Sequence, residues 1–159
     1  MKKPADGSPP VGLQPTAARL RPENSPGFLF WRVALHWQRV MLASLRPLEL
    51  THVQFVLLAS TWWLTTVAGE TPTQRRLAEH AGTDPMMTSQ VLRALEAKGL
   101  ITRVADPDDS RALRIAVTRQ GAKLAPRALA IVEAADAEFF ASAGDKPALL
   151  KTLRRLAAS

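Results

Sequence analysis

Cysteine is absent from the chain, which excludes a disulfide framework and any thiol-based switch. Tyrosine is absent as well, and aromatic residues reach only 6%. The three histidines, His36, His52 and His80, have no metal-ligand spacing, so each reads as a surface or satisfied polar group and no metal is expected. There is no Gly-rich phosphate loop, no H-E-x-x-H and no G-x-S-x-G turn. The carboxylates Asp106, Asp108 and Asp109 crowd a single turn, too close for a separated acid/base pair; a Mg²⁺ site there is the enzyme-class alternative. The expectation is a protein without cofactor that is not an enzyme. Long apolar runs are also missing: His52, Gln54, Ser60 and Thr61 interrupt the best candidate before the ~18 residues that a membrane span requires. Lys2-Lys3 is followed by Pro4-Ala5-Asp6 rather than by an apolar signal core, so a cytoplasmic protein is expected.

What is present is one domain or subunit's worth of chain, 159 residues of which 47% are hydrophobic, enough for a core. The net charge of +7 and a pI near 10.8 point toward a polyanionic partner, although the excess is spread along the chain rather than gathered in one block.

Residues 1–25 hold five of the twelve prolines and little periodic apolar pattern, which predicts a disordered or loosely extended tail. Ser25-Pro26 then announces a helix to Leu45. Phe28, Leu29, Phe30, Val33, Ala34, Trp37, Val40, Met41 and Leu45 cover more than one stripe of it. The segment after Gly121 is an Ala-rich helix with Leu124, Leu129, Val132, Ala135 and Phe139 at helical spacing, and Pro147 to Leu156 makes a last one with Leu149, Leu150, Leu153 and Leu156. First and last helices this apolar suggest a homodimer with interlocked termini, a core role within one subunit being the alternative. Between them, Thr51 can cap a helix over His52 to Val67 that is apolar nearly all round, hence central. Thr71-Pro72-Thr73-Gln74 offers a further start, either as a capping box on Thr71 or with Thr73 as the cap.

The organising stretch is Asp84 to Gly121. Asp84-Pro85 opens a helix and Lys98-Gly99 closes it. Its inner face is Met87 or Thr88 with Val91, Leu92 and Leu95; its outer face carries Pro85, Met86, Ser89, Gln90, Arg93 and Ala97, a set suited to base edges. Leu100, Ile101, Arg103 and Val104, then ADPDDSRA, then Leu113, Ile115 and Val117 predict a hairpin by their period of two. A solvated charged turn is the plain reading of its tip. The reading with a function is that one aspartate fixes Arg111 for entry into a narrow minor groove.

The run KGLITRVADPDDSRALRIAVTRQG, Lys98 to Gly121, resembles the wing of the multiple antibiotic resistance regulator (MarR) family. That pattern is K-G-L-[IV]-x-R, then D-x-x-D-x-R, a short strand and L/V-T-x-x-G; its D-x-R falls on Asp109 and Arg111. The likeness extends from Pro26 to Ala157, with one departure: Ser89-Gln90 stands where many relatives carry Thr-Arg, which alters the expected base preference. It implies a mainly α fold with a small β-hairpin wing: a winged helix-turn-helix domain over 47–121, with dimerisation helices at 26–46 and 122–159. It implies a homodimeric DNA-binding regulator, a repressor relieved by a small aromatic or phenolic ligand, outside the peroxide-sensing branch that needs a reactive cysteine.

The expected DNA contacts are Thr73, Gln74, Arg75 and Arg76 at the start of the positioning helix, Pro85, Met86, Ser89, Gln90 and Arg93 on the reading helix, and Asp109 and Arg111 on the wing. Trp31, His36, Trp37, His52, Trp62 and Trp63 are candidates for a ligand cleft, against the plain reading of tryptophans as core. The competing function class is a winged helix used as a protein-interaction module docking a larger complex.

Overall fold

The structure, a computed structural model, describes residues 21–107, 109 and 111–158. Most of the proline-rich tail, residues 1–20, thus lies outside the described residues, as does Asp108 of the wing turn. Two compact units divide between Trp37 and Gln38.

In the first unit a short 3₁₀ turn at Pro22–Asn24 replaces the expected extended chain. Helix α1, Pro26–Leu45, then begins where its sequence directs: the Ser25 hydroxyl accepts the Phe28 N–H at 3.3 Å and proline occupies the first turn. Phe28, Leu29, Phe30, Trp31, Val33 and Leu35 are all exposed.

In the second unit the end of α1 contributes the buried Met41 and Leu45. Helix α2, His52–Trp62, opens with a reciprocal capping box between Thr51 and Gln54 and continues as a π-helical turn over Trp63–Val67. It packs against the helices over Gln74–Ala81 and Pro85–Ala97, the strand over Leu113–Val117 and the long helix over Arg119–Phe139. Its core face is Phe55, Leu57, Leu58, Thr61 and Leu64; the other residues of α2 are half-buried, and Trp63, just past its end, is exposed. Fully buried Thr61 satisfies its hydroxyl on the Leu57 carbonyl at 2.7 Å. Truncating one of these leucines to alanine costs about 2–5 kcal/mol.

Helix α3, Gln74–Ala81, settles the alternative at its start: Thr73 is the cap, its hydroxyl accepting the Arg76 N–H at 3.2 Å. Gly82, at φ 64°, turns the chain through the left-handed region toward α4, Pro85–Ala97. Strands β1, Ile101–Ala105, and β2, Leu113–Val117, form the expected hairpin, with Ile101 opposite Val117 and Ala105 opposite Leu113. An unforeseen third edge completes it, because the Pro72 carbonyl accepts the Ile115 N–H at 2.8 Å and Thr73 bridges to Arg114. This ties the start of α3 to the wing.

The T-x-x-G element acquires a mechanism here. Thr118 caps α5, Arg119–Phe139, by accepting the Gly121 N–H at 3.1 Å, while its hydroxyl donates to the Gly99 carbonyl at 2.7 Å. Gly121 lies inside the helix rather than before it, so the boundary expected at 121/122 falls within α5. It sits so close to the α4–β1 corner that a Cβ there would stand 2.0 Å from the Leu100 carbonyl oxygen. The face of α5 differs from the expected leucine stripe: Ala125, Ala128 and Val132 are buried, while Leu124, Leu129, Ala135 and Phe139 are half-buried. Small side chains let α5 approach α2 closely, which a search for large apolar residues overlooks. Helix α6, Lys146–Ala157, is capped by Asp145 and leaves Leu150 and Leu156 exposed. No helix among the described residues is long and apolar enough to cross a membrane.

Candidate nucleic-acid interface

Helix α4 is fixed at both ends. At its start the Asp84 carboxylate accepts the N–H groups of Met86 at 2.9 Å and Met87 at 3.1 Å. Buried Thr88, not Met87, takes the inner position, its hydroxyl donating to the Asp84 carbonyl and pairing with the Thr83 hydroxyl, both at 2.8 Å. At its end Gly99 (φ 69°) stops the helix, and Lys98 reaches back to the Glu49 carbonyl and to Gln54. What remains outward is Pro85, Met86, Gln90 and Arg93, all exposed, with Ser89 half-buried. Gln90 and Arg93 have no side-chain partner among the described residues.

At the start of α3 the four expected residues separate. Arg76 is bound by the Glu70 carboxylate through two bonds of 3.2 and 3.3 Å. Arg75 makes only a loose pair with Glu79 at 3.8 Å, its side chain 89% exposed. Thr73, Gln74 and Arg75 form one wall of a cleft of about 400 Å³ whose other wall includes Asp109 and Arg111 of the wing. Asp106 lines the cleft too, but its charge is met by Arg114 and that of Asp109 by a main-chain N–H, so the neutral cap, the positive end of the helix dipole and the two exposed arginines are what an anionic backbone would meet there.

On the wing, the aspartate expected to clamp the Arg111 guanidinium acts otherwise. Asp109 accepts the Arg111 main-chain N–H at 3.0 Å, shaping the turn, and leaves the side chain exposed without a carboxylate partner among the described residues. Asp106 is taken by Arg114 at 2.8 Å, the pair lying beneath the turn with the Asp106 side chain only 9% exposed. Arg103 is held by Glu96 of α4 through its Nε at 2.8 Å and a second, shorter contact. These two pairs were not among the expected site residues; the only signal for them is the cross-strand position of Arg114 beside the acidic turn.

The candidate ligand residues fall in both units. Trp31 and His36 are exposed and Trp37 half-buried in α1. His52 stacks on Phe55 in the first turn of α2, and burial lowers its pKa, opposed in part by the charge of Asp136 on α5. Trp62 lies at the other end of α2, about 15 Å along the axis at ~1.5 Å per residue. Trp63 stacks on His80 of α3 at 5.6 Å between ring centres. Within this unit, His52 and the two tryptophans of α2 do not form one cluster.

A model of the MarR family matches residues 50–113. The chain is 44% identical over 135 residues to the HTH-type transcriptional regulator YdcH of Bacillus subtilis (strain 168), covering 85% of this chain and 91% of that one. It is 36% identical over 117 residues to the HTH-type transcriptional repressor Rv2887 of Mycobacterium tuberculosis, covering 72% and 79%. The crystal structure of Rv2887 with DNA superposes with a TM-score of 0.63 at 30% identity over 83% of this chain and 97% of that one. Rv2887 with salicylic acid gives 0.58 at 33% identity, covering 84% and 95%. CouR from Rhodococcus jostii RHA1, bound to p-coumaroyl-CoA, gives 0.71 at 27% identity, covering 86% and 92%. A winged hairpin beside a helix-turn-helix, carried by relatives that span nearly the whole length, leaves one assignment: this chain belongs to the MarR family of HTH-type transcriptional regulators.

Proposed function

We propose that the protein is a cytoplasmic, homodimeric repressor that places α4 in the major groove of a pseudo-palindromic operator, sets Arg111 in the adjoining minor groove, and has no catalytic role. The observation that carries this reading is the outward set Gln90, Arg93 and Arg111, each exposed and without a side-chain partner among the described residues, beside arginines that are paired, Arg103 with Glu96 and Arg114 with Asp106. Free hydrogen-bonding groups on a rigid frame suit a partner that supplies acceptors. Thr73, Gln74 and Arg75 hold backbone phosphates at the start of α3, and Ser89 supports the reading face. The apolar residues exposed on α1 and the last helix suit coverage by a second copy. Relief by a small aromatic acid is supported by the salicylic acid complex of Rv2887.

Selection of bound duplexes from a random-sequence pool, followed by a salt series on the best, tests the reading. The expected motif is a pseudo-palindrome with half-sites about 10 bp apart, bound less tightly as salt rises. No enriched motif, or an affinity indifferent to salt, would favour a protein-docking module instead. Salicylate added to the complex is expected to release the duplex, with the four tryptophans reporting its binding by fluorescence.

A further inference from the structure

Among the described residues the most exposed large hydrophobic side chain stands on α4. Met86 is 74% exposed, more than any other large hydrophobic residue, yet it stands in the first turn of a helix pinned by Asp84 and Thr88. A mobile terminus does not account for that exposure. Met86, Gln90 and Arg93 fall at i, i+4 and i+7, hence on one face. Side chains on a helix lean toward its N-terminus, so Met86 projects ahead of the polar pair that follows it.

The start of α4 is also unsuited to phosphate. Two of its free N–H groups are already taken by Asp84, whose charge repels an anion at that point. The start of α3, with its neutral Thr73 cap and Arg75, carries no such charge. A base edge is the remaining neighbour for Met86, and the one apolar group displayed in the major groove is the C5 methyl of thymine.

We propose that Met86 is a specificity-determining residue that reads a thymine methyl, with Gln90 reading adenine and Arg93 guanine further along the same stripe. This rests on the DNA-binding reading above and refines it to the class of half-site preferred: a thymine at the end met by the start of α4, then adenine, then guanine. Seven residues of helix advance about 10 Å, roughly three base-pair steps. The thioether chain is flexible enough to settle on a methyl without demanding one backbone pose.

The best duplex recovered from a random-sequence pool is the probe. Each thymine of its half-site is replaced in turn by deoxyuridine, which keeps the pairing and removes only the methyl. At one position the affinity of the unaltered protein is expected to fall about fourfold, the factor supplied by burying one methylene-sized group. Met86→Ala is expected to bind the thymine duplex about fourfold more weakly and to be indifferent to deoxyuridine at that position, with a melting temperature like that of the unaltered protein. A protein indifferent to deoxyuridine everywhere, or a penalty that persists in Met86→Ala, overturns the assignment while leaving the regulator reading intact. Failure to recover any bound duplex removes the regulator reading, and this assignment with it.

Discussion

The base and the tip of the wing are built from the same residue types and use them in opposite ways. Through the base, meaning everything up to the underside of the turn, Arg103 is held by Glu96 and Arg114 by Asp106, with the arginine side chains 18% and 32% exposed. At the tip, Asp109 gives its carboxylate to a main-chain N–H and Arg111 extends into solvent. An arginine that closes a partly covered pair supports the fold, whereas one left free on a fixed turn waits for a partner. The two ends should therefore fail differently: changes at the base lower stability, and changes at the tip lower affinity alone.

The largest effect is expected at Gly121, on which the base is seated. A methyl group there would meet the Leu100 carbonyl oxygen at 2.0 Å and the Val117 side chain at 2.8 Å, and both belong to the frame that holds the hairpin. Gly121→Ala is expected to lower stability by about 3 kcal/mol, the upper part of the usual overpacking range, as measured by urea denaturation. An unchanged midpoint would mean that the corner yields easily and that the base is no more rigid than the tip.

The contrast itself is tested by the pair Asp106→Ala and Arg111→Ala. The first removes the carboxylate that holds a partly buried guanidinium at 2.8 Å and is expected to cost about 1–3 kcal/mol of stability. The second is expected to change stability by no more than about 0.5 kcal/mol, because the removed side chain is exposed. It should nevertheless weaken binding of the selected duplex about tenfold, within the ~1–3 kcal/mol that one good contact supplies. Equal loss of affinity in both variants, with equal stability, would dissolve the distinction.

Much of this frame is legible in the sequence, and the part that is not has a physical reason. Ser25-Pro26, Thr51, Asp84-Pro85 and Lys98-Gly99 mark helix ends because capping is local chemistry, decided within three or four residues. The hairpin is legible from its period of two. The choice of partner for each arginine is not, because it depends on strand register: Arg114 lies opposite Val104, which brings Asp106 within reach, whereas Arg111 lies beyond the paired residues. The buried alanines of α5 escape for a different reason. A small side chain carries no apolar signal of its own, and its value appears only once α2 lies against it. The stacking of Trp63 on His80 is likewise a contact between elements that no spacing along the chain encodes.

A third way of handling charge, at the start of α2, gives the smallest expected effect. His52 is half-buried and stacked on Phe55, and desolvation lowers its pKa from 6.5 while the Asp136 carboxylate opposes that shift. The unfolded chain therefore takes up the proton first as pH falls. The stability contributed by neutral His52 is complete above 6.5 and declines as pH drops from there through the folded-state value. His52→Gln is expected to flatten that part of the stability–pH curve, and Asp136→Asn to steepen it by removing the charge that favours the imidazolium. Duplex affinity, corrected for the folded fraction, should not follow either change, since neither residue is among the proposed contacts. If His52→Gln left the slope unaltered, the acid sensitivity would belong to other groups. If it altered affinity at fixed stability, the division between residues that hold the frame and residues that meet the partner would have to be redrawn at α2 as well as at the wing.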